Sequence, residues 1–310
     1  MIPSPECAVC GEREARYPRP YAGDHVCGRC LVETVVDRAY REIRRWRWIR
    51  PRTTVAVALS GGKDSALALH VITRYTEPLP DVEIVAITVD EGIPGFRDRC
   101  VEKARELAER LGVRHEIVTF REEYGFDLED VLDESPVPAC TLCGVLRRRL
   151  LNLKARELNA DVLVTGHNLD DEAQAVLMNV VKSDVDQLAR LHPEVRPEDP
   201  AVIPRAKPLR RVPEREILWA ATELDLPFHP DPCPHSTSSV RSHYRRLLDE
   251  LEERIPDAKF GLLRFLDKTG PTLAREHSRG KPRRCEKCGE PASGELCKAC
   301  QLLQTLGKDP

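Results

Sequence analysis

Cysteines are the residues of this sequence whose spacing points most directly to chemistry. Ten of the twelve belong to Cys-x-x-Cys pairs, and two stand alone. In a reducing compartment such pairs are metal ligands or redox centres far more often than disulfides. The pairs are Cys7/Cys10, Cys27/Cys30, Cys140/Cys143, Cys285/Cys288 and Cys297/Cys300, and the single cysteines are Cys100 and Cys233.

The first two and the last two pairs have the spacing of structural zinc sites. Sixteen residues separate the first two pairs, and eight residues separate the last two. Four thiolates complete a tetrahedral zinc site, and each segment is too short to fold by apolar burial without metal. A cluster of free thiols or disulfides is the alternative. The predicted zinc ligands are Cys7, Cys10, Cys27 and Cys30 at one end of the chain and Cys285, Cys288, Cys297 and Cys300 at the other.

The pair Cys140/Cys143 has no second pair beside it in the sequence. Two thiolates are too few for structural zinc, and Cys233, in a proline-rich turn, is the natural third ligand. Three cysteines can hold a [4Fe–4S] cluster and leave one iron open to an exogenous ligand such as sulfide. The alternatives are a thioredoxin-like redox pair and persulfide chemistry on Cys140 and Cys233 without iron. Cys100 is interpreted as a small buried apolar residue.

A glycine-containing loop between an apolar run and a helical run predicts a nucleotide site. Residues 55–59 precede Ser60-Gly61-Gly62-Lys63-Asp64-Ser65, and the helical run 66–72 follows. Two glycines let the backbone approach phosphate oxygens, and a helix N-terminus offers N–H donors to an anion. Lys63 adds a positive charge, and Asp64 is suited to help hold Mg²⁺. The loop lacks the glycine spacing of a Walker motif, and a plain strand-to-helix turn is the alternative.

Residues 165–172 form a second candidate segment after a predicted strand. Three consecutive acidic residues open a helix there, with Asp170 as the predicted N-cap. Acidic residues are expected in a first helical turn on structural grounds alone, which is the alternative explanation. Gly166 and the two residues after it lie at the carboxyl end of the strand, where doubly wound sheets bind ligands.

Strands alternate with helices around these segments, which predicts a doubly wound parallel α/β sheet. Predicted strands cover residues 55–59, 82–89, 114–119 and 162–165, and predicted helices cover 31–50, 66–72, 98–111 and 144–158. A helical, proline-punctuated region extends from about residue 170 to residue 266. We expect an N-terminal zinc finger at residues 1–33, an arginine-rich helical connector at 34–52, a catalytic domain at 53–270 and a C-terminal zinc ribbon at 271–310.

Composition favours a cytoplasmic globular protein with a local basic patch. The formal net charge is −3, so the chain as a whole would not coat nucleic acid through bulk charge. No apolar run is long enough to span a bilayer, and the N-terminus lacks a secretory signal. Seven arginines and two tryptophans crowd residues 38–52. This patch suits either RNA backbone contacts with base stacking or packing of the tryptophans on the core.

The order of these motifs resembles the TtcA/TtuA superfamily of tRNA thiolases, specifically its branch with two zinc fingers. The loop at residues 60–65 resembles the pyrophosphate loop (PP-loop) of ATP pyrophosphatases. The resemblance spans essentially the whole chain and implies a PP-loop ATP pyrophosphatase fold, adenine nucleotide alpha hydrolase-like, flanked by zinc modules. It rests on the N-terminal cysteine module, the loop at 60–65, Cys140-Thr141-Leu142-Cys143-Gly144, residues 165–172, Ile203-Pro204-Arg205-Ala206-Lys207-Pro208-Leu209, Cys233 and the C-terminal cysteine pairs.

The resemblance implies roles for particular residues. Arg147 stands where TtuA-type enzymes have lysine; its charge suits a phosphate contact, but it lacks the compact ammonium needed for proton transfer. Some relatives end the first zinc site in His, where this chain has Cys30. The implied catalytic residues are Asp64, Asp171 and the cluster ligands Cys140, Cys143 and Cys233. The implied ATP contacts are Ala58, Leu59, Ser60, Gly61, Gly62, Lys63, Asp64, Ser65, Val89 (through its backbone to adenine), Arg147, Gly166 and Asp171.

The implied activity is that of a tRNA-uridine 2-sulfurtransferase. ATP with Mg²⁺ would adenylate the uracil O2, the open iron of the cluster would present sulfur to C2, and AMP would leave. The implied sulfur donor is a ubiquitin-like carrier protein with a C-terminal thiocarboxylate, and a homodimer is expected. The target is either the wobble uridine or the ribothymidine of the T loop. The alternatives are another PP-loop enzyme, lysidine-forming or amidotransferase-like, and a non-catalytic zinc-ribbon RNA adaptor.

Overall fold

The computed structural model describes residues 6–193, 199–236, 240–276 and 283–308. Its N-terminal module is an antiparallel hairpin, β1 (Tyr17–Arg19) and β2 (Asp24–Val26), followed by the helix α1 (Gly28–Trp46). The helix ends at Trp46 rather than at the predicted residue 50. Arg47 causes this end, because it adopts the left-handed conformation with φ 51° and donates its N–H back to the Arg44 and Ile43 carbonyls.

The central sheet contains five parallel strands: β3 (Thr54–Ala58), β4 (Glu83–Asp90), β5 (Arg114–Thr119), β6 (Val162–Val164) and β7 (Arg205–Ala206). Their order is β5–β4–β3–β6–β7, so the predicted doubly wound parallel sheet is confirmed. The switch point of this sheet lies between β3 and β6, where such folds bind ligands. Strand β7 is not predicted from the sequence, because two residues are too few to show a pattern.

The remaining helices of the described chain are α2 (Lys63–Thr76), α3 (Arg97–Arg110), α4 (Phe120–Tyr124), α5 (Ala139–Glu157), α6 (Leu169–Val181), α7 (Val185–Arg190), α8 (Glu214–Glu223), α9 (Val240–Arg254), α10 (Ala258–Glu276) and α11 (Lys298–Thr305). A short 3-10 helix covers Leu128–Val131, and the hairpin β8 (Arg283–Arg284) and β9 (Pro291–Ala292) precedes α11. The predicted helical region after residue 170 contains α6 to α10, with β7 inserted. Within the described ranges no helix combines the length and the apolar content needed to cross a bilayer.

Apolar cores cover both faces of the sheet. Alternate residues of β3 face opposite cores, Val57 the first and Ala56 the second. Helices α1, α2 and α8 supply the first core, and α5 and α11 supply the second, where Leu303 belongs to the same cluster as Leu146. Each large aliphatic side chain buried in this way contributes about 1.5–3 kcal/mol. The second core therefore attaches the C-terminal cysteine module to α5.

Helix α5 begins at Ala139 instead of the predicted residue 144, so Cys140 and Cys143 lie in its first turns. Pro138 is the N-cap, and its carbonyl accepts the N–H groups of Thr141 and Leu142 at 2.8 and 3.2 Å. A proline with fixed φ suits the start of a helix. Apolar periodicity does not detect this turn, because Cys140 and Thr141 are exposed.

A buried ion network fixes α1 to α10. The side chain of Arg210 is 0% exposed and pairs with Asp267 at 2.9 Å and Glu42 at 3.3 Å. Trp46 donates its indole N–H to Glu42 at 2.8 Å and packs against Arg210. Trp48 packs against the first core. Both tryptophans of the arginine-rich segment are therefore held by packing contacts within the chain.

Candidate functional site

The loop from Ser60 to Ser65 leaves β3 at the carboxyl edge of the sheet and opens α2. Gly61 has φ +82°, and a Cβ there would lie 2.0 Å from the carbonyl oxygen of the buried Cys100, so only glycine fits. The Ser65 hydroxyl donates to the Gly62 carbonyl at 2.9 Å and accepts the Ser60 N–H at 3.0 Å. The N-cap residue of α2 is Gly62, which has no side chain to cap the helix, and a helix N-terminus of this kind is a typical phosphate site.

The segment after β6 contacts this loop across the switch point. A Cβ at Gly166 would lie 2.8 Å from the carbonyl carbon of Asp64 and from the Ser65 nitrogen. Asn168 donates from Nδ2 to Asp64 Oδ1 at 2.9 Å. Asn168 is also the N-cap of α6 and forms a capping box with Asp171, so the prediction of Asp170 as N-cap is wrong. Acidic residues are favoured throughout the first turn of a helix, so their presence at positions 170–172 does not show which residue is the N-cap.

Charges of both signs meet at this junction. Lys63 Nζ lies 2.9 Å from Asp64 Oδ2 and 2.7 Å from Glu214 Oε1. Burial, followed by the nearby Asp64 and Glu214, raises the pKa of Asp171 to about 6, against the opposing hydrogen bond from the Asn168 N–H. Carboxylates beside a phosphate site are the ligands that Mg²⁺ prefers. The residues present therefore fit ATP accompanied by magnesium.

Arg97 attaches the nucleotide loop to the end of β4. Its buried guanidinium donates to the Ser60 carbonyl at 2.9 Å and to the Val89 carbonyl. The carbonyl of Val89, the residue predicted to contact adenine, is thus engaged by Arg97. Leu59 is held in turn by β4, because its N–H donates to the Ile87 carbonyl at 2.9 Å. Arg97 is not among the site residues predicted from the sequence, since an arginine in a helix is usually a solvated surface residue.

Glu91 connects the nucleotide loop (Ser60 to Ser65) to α5, the helix that carries Cys140 and Cys143 and is called the cysteine helix below. Its side chain is 2% exposed and pairs with Arg97 at 2.8 Å through Oε2 and with Arg147 at 3.2 Å through Oε1. The same Oε1 lies 4.0 Å from Cys143 Sγ. A carboxylate buried to this extent is stable only when paired. The sequence signal that could have identified Glu91 is an acidic residue directly after a strand, at the ligand-binding edge of the sheet.

Cys140, Cys143 and Cys233 form an open group of thiols beside Glu91. Cys140 is exposed and its thiol donates to the His235 carbonyl at 3.1 Å, while Cys143 and Cys233 are half-buried. Burial raises the pKa of Cys143 to about 12, against the influence of Arg147. Burial also raises the pKa of Cys233, and Cys140 and Glu91 are among the groups that add to this rise.

The geometry of these three thiols distinguishes the metal centres they could hold. Their sulfurs do not all lie within 4.8 Å of one another, unlike those of the terminal cysteine sets. An iron–sulfur cluster spans a wider opening than a single zinc ion, and soft thiolates are its usual ligands. Three cysteines in this open arrangement therefore fit a cluster better than structural zinc.

The terminal cysteine sets are closed in space. In each set the four Sγ atoms lie within 4.8 Å of one another. In the N-terminal set the Cys27 N–H donates to Cys7 Sγ at 3.2 Å. Burial raises the pKa of Cys7, but the N–H groups of Cys10, Cys27 and Val9 outweigh it and bring the pKa to about 6. Four converging sulfurs with amide donors around them fit a tetrahedral zinc ion.

The chain is similar to known proteins over most of its length. A family model described as "PP-loop domain" matches residues 32–251. The chain is similar to "tRNA 2-thiolation protein NcsA" of Haloferax volcanii, with 40% identity in an alignment of 320 positions, including gaps, that spans 97% of this chain and 99% of the relative. It is 34% identical to "Cytoplasmic tRNA 2-thiolation protein 1" of Bos taurus, covering 99% of this chain and 89% of that one.

A solved structure agrees with these sequence relatives. It is described as "U34-tRNA thiolase NcsA from Methanococcus maripaludis with its [4Fe-4S] cluster". Its TM-score to this chain is 0.84 at 34% identity, and the match covers 99% of this chain and 97% of the other.

Proposed function

Because the chain belongs to the PP-loop family of tRNA 2-thiolation proteins, we propose that it replaces the 2-oxygen of a tRNA uridine with sulfur, using ATP to activate the oxygen. One observation carries this proposal: the buried Glu91 contacts the nucleotide loop through Arg97 and lies 4.0 Å from the thiol of Cys143. A phosphate site alone would serve any PP-loop enzyme. Thiols beside it suit sulfur transfer, and the lysidine-forming and amidotransferase-like alternatives have no use for them.

In the first step the uracil O2 attacks the α-phosphorus of ATP, and pyrophosphate leaves. The N-terminus of α2 and Lys63 would bind the phosphates, and Asp64 and Asp171 would hold Mg²⁺. Adenylation turns the uracil oxygen into a good leaving group. The other proposed ATP contacts are Arg147 on α5 and residues of the strand ends and turns around this junction, namely Ala58, Leu59, Ser60, Gly61, Gly62, Ser65, Val89 and Gly166.

In the second step sulfur forms a bond to C2, and AMP leaves with the original oxygen. Cys140, Cys143 and Cys233 would hold a [4Fe–4S] cluster, which supplies an iron without a cysteine ligand as a binding site for exogenous sulfur. Arg147 pairs with Glu91 and lies near Cys143, where its fixed charge suits the phosphate that links the activated uridine to AMP. Persulfide chemistry on Cys140 and Cys233 is the alternative without iron.

The proposal also covers the target nucleotide in tRNA, the sulfur donor and the other partners. We propose the wobble uridine, because the related Methanococcus maripaludis protein is described as a U34-tRNA thiolase. The sulfur donor would be a ubiquitin-like carrier protein with a C-terminal thiocarboxylate. Zinc in both terminal sites, a homodimer and a cytoplasmic location complete the proposal, and the Bos taurus relative carries "cytoplasmic" in its name. The division at residues 1–33, 34–52, 53–270 and 271–310 remains the proposed domain organisation.

Turnover by anaerobically purified protein tests the function directly. With Mg-ATP, sulfide and tRNA from a strain that lacks the gene, we expect tRNA-dependent release of pyrophosphate and mass-spectrometric detection of 2-thiouridine at the wobble position. Asp64→Ala should abolish both products. Pyrophosphate release with a different modified nucleoside would indicate another PP-loop enzyme. Binding of tRNA without any pyrophosphate release would indicate a non-catalytic adaptor.

A further inference from the structure

Three arginines beside the site have no acidic partner within the described part of the chain. Arg148 lies on α5, Arg205 begins β7, and Arg241 lies in the first turn of α9. Neighbouring cations differ in this respect, since each of them has an acidic partner. Arg147 pairs with Glu91 at 3.2 Å, Lys207 with Glu172 at 2.7 Å and Arg245 with Glu214 at 2.8 Å.

Arg205 and Arg241 lie near His167, the residue after Gly166, and both add to the effect of burial that lowers its pKa. Arg148 lies near both of these arginines, because it adds to the effect of burial on the pKa of Arg205, and Arg241 adds to the effect of burial on the pKa of Arg148. The carbonyl of Arg241 accepts a hydrogen bond from Gln174 of α6 at 2.7 Å, and Arg205 pairs with Leu163 in the sheet. Arg205 therefore lies on the strand beside β6, Arg241 on the helix that contacts α6, and Arg148 on α5, five residues after Cys143. These three residues are called the arginine cluster below, and their neighbour His167 follows Gly166, which contacts the nucleotide loop.

The positive charges of the arginine cluster repel one another. Burial and the nearby Arg148 lower the pKa of Arg205 to about 10. Burial, followed by Lys207, Arg205, Arg241 and Arg147, lowers the pKa of His167 well below its usual value. Arg205 stays protonated at neutral pH, so this repulsion persists until an anion binds. Uncompensated charge at a site that faces solvent is typical of a surface built to receive an anionic ligand.

We propose that Arg148, Arg205 and Arg241 bind the phosphate backbone of the RNA next to the uridine that is thiolated. This inference rests on the proposed function, because it identifies how the RNA substrate is held. Guanidinium groups bind phosphate oxygens through paired N–H donors. Phosphates bound by Arg205 on β7 and Arg148 on α5 would hold the adjacent uridine near the groups proposed for the two steps.

The other anions of the proposed reaction match the arginine cluster less well. The phosphates of ATP have their own site at the N-terminus of α2 with Lys63. The C-terminus of a carrier protein offers a single negative charge, whereas three separate guanidinium groups match consecutive phosphates of a polynucleotide. RNA is therefore the occupant that the number of cations favours.

Affinity for tRNA measured across a range of salt concentrations tests whether the arginine cluster binds RNA phosphates. Arg148→Ala, Arg205→Ala and Arg241→Ala should each weaken tRNA binding by about ten-fold, and each should lower the slope of log affinity against log salt by about one. ATP affinity without tRNA and the circular dichroism spectrum should match those of the wild type. Arg74→Ala, which removes an exposed arginine from the far end of α2, is the control and should change none of these quantities.

A tRNA with a neutral methylphosphonate linkage next to the target uridine locates the contact. Wild-type protein should bind it more weakly than normal tRNA, whereas Arg205→Ala should bind the two equally, because the contact is already lost. Wild-type affinity and salt slope in all three variants would overturn the inference. So would loss of ATP binding, which would assign the arginines to the nucleotide, or normal tRNA binding with loss of carrier-dependent turnover. Failure of the wild type itself to bind and thiolate tRNA would instead refute the proposed function.

Discussion

The carboxylate of Glu91 and the guanidinium of Arg97 pair at 2.8 Å, with side chains only 2% and 5% exposed, where the nucleotide loop approaches the cysteine helix. Arg97 also holds the Ser60 carbonyl, and Glu91 also holds Arg147. The pair thus sets the separation between the phosphate site and the thiols. Under the proposed function, neither residue needs to contact a substrate, because the pair positions the phosphate site and the thiols that would act on the same carbon.

Glu91→Gln should lower the free energy of unfolding by about 3 kcal/mol, because it leaves the charge of Arg97 buried without a counter-charge. Urea-induced unfolding measures this change. The control is Glu106→Gln, which breaks the exposed pair of Glu106 with Lys103 and should leave the free energy nearly unchanged. Equal stability of the two variants would show that the buried pair contributes no more than a surface ion pair.

Gly166→Ala should weaken ATP binding by about ten-fold or more, because its methyl group would lie 2.8 Å from the backbone of Asp64 and Ser65 and displace the nucleotide loop. Isothermal titration calorimetry with a non-hydrolysable ATP analogue gives the affinity. Gly294→Ala is the matched control, since no atom lies within 4 Å of its added Cβ. Unaltered affinity in a folded Gly166→Ala protein would contradict the close contact between the two segments.

The raised pKa of Asp171 predicts a stability cost that grows with pH. The carboxyl group has a pKa of about 6 in the folded chain, against a reference value of 3.8, so the folded state holds the proton more tightly than the unfolded state. The cost is absent below pH 3.8, increases as pH rises and is fully present above about pH 6.

Asp171→Asn should therefore raise the free energy of unfolding at pH 7.5 by up to about 3 kcal/mol, and by much less at pH 4.5. Chemical unfolding at the two pH values measures the difference. An equal gain at both values would mean that Asp171 is not held with a raised pKa. The same substitution should impair pyrophosphate release, because it removes a proposed ligand of Mg²⁺.

Cys233→Ala should abolish thiolation while leaving the fold and ATP affinity nearly unchanged, because Cys233 is half-buried at the edge of the thiol group. Visible absorption of the anaerobically purified variant and nucleoside analysis of its tRNA product report the loss. Global unfolding of this variant would mark Cys233 as structural instead.

Cys285→Ala should have the opposite effect, since Cys285 is buried within a closed set of four sulfurs. Loss of one ligand should release the metal and lower the melting temperature of the protein. Thermal unfolding with and without added zinc measures this. A melting temperature equal to that of the wild type under both conditions would argue against a zinc-dependent module.

Local patterns explain what the sequence could predict. The loop at residues 60–65 lies between an apolar strand and a helix, and the terminal cysteine pairs carry their spacing within short segments. The features that the sequence did not predict depend on contacts between residues that are far apart in the chain. Glu91 acquires its importance only from Arg97 and Arg147, and Trp46 is fixed by Arg210, far along the chain. Two-residue β7 is defined by pairing alone, which no local propensity can reveal.

Helix α5 carries two of the thiols at its beginning, and the C-terminal module covers its other end. Arg156 binds Glu290 at 2.6 Å, and Leu303 shares an apolar core with Leu150. This covering segment is far from α5 in the sequence, so the leucines of α5 stay uncovered until the segment has been synthesised and has folded back. A chain truncated before the segment would lack the apolar surface that packs against the helix bearing Cys140 and Cys143, and the leucines of that helix would face solvent.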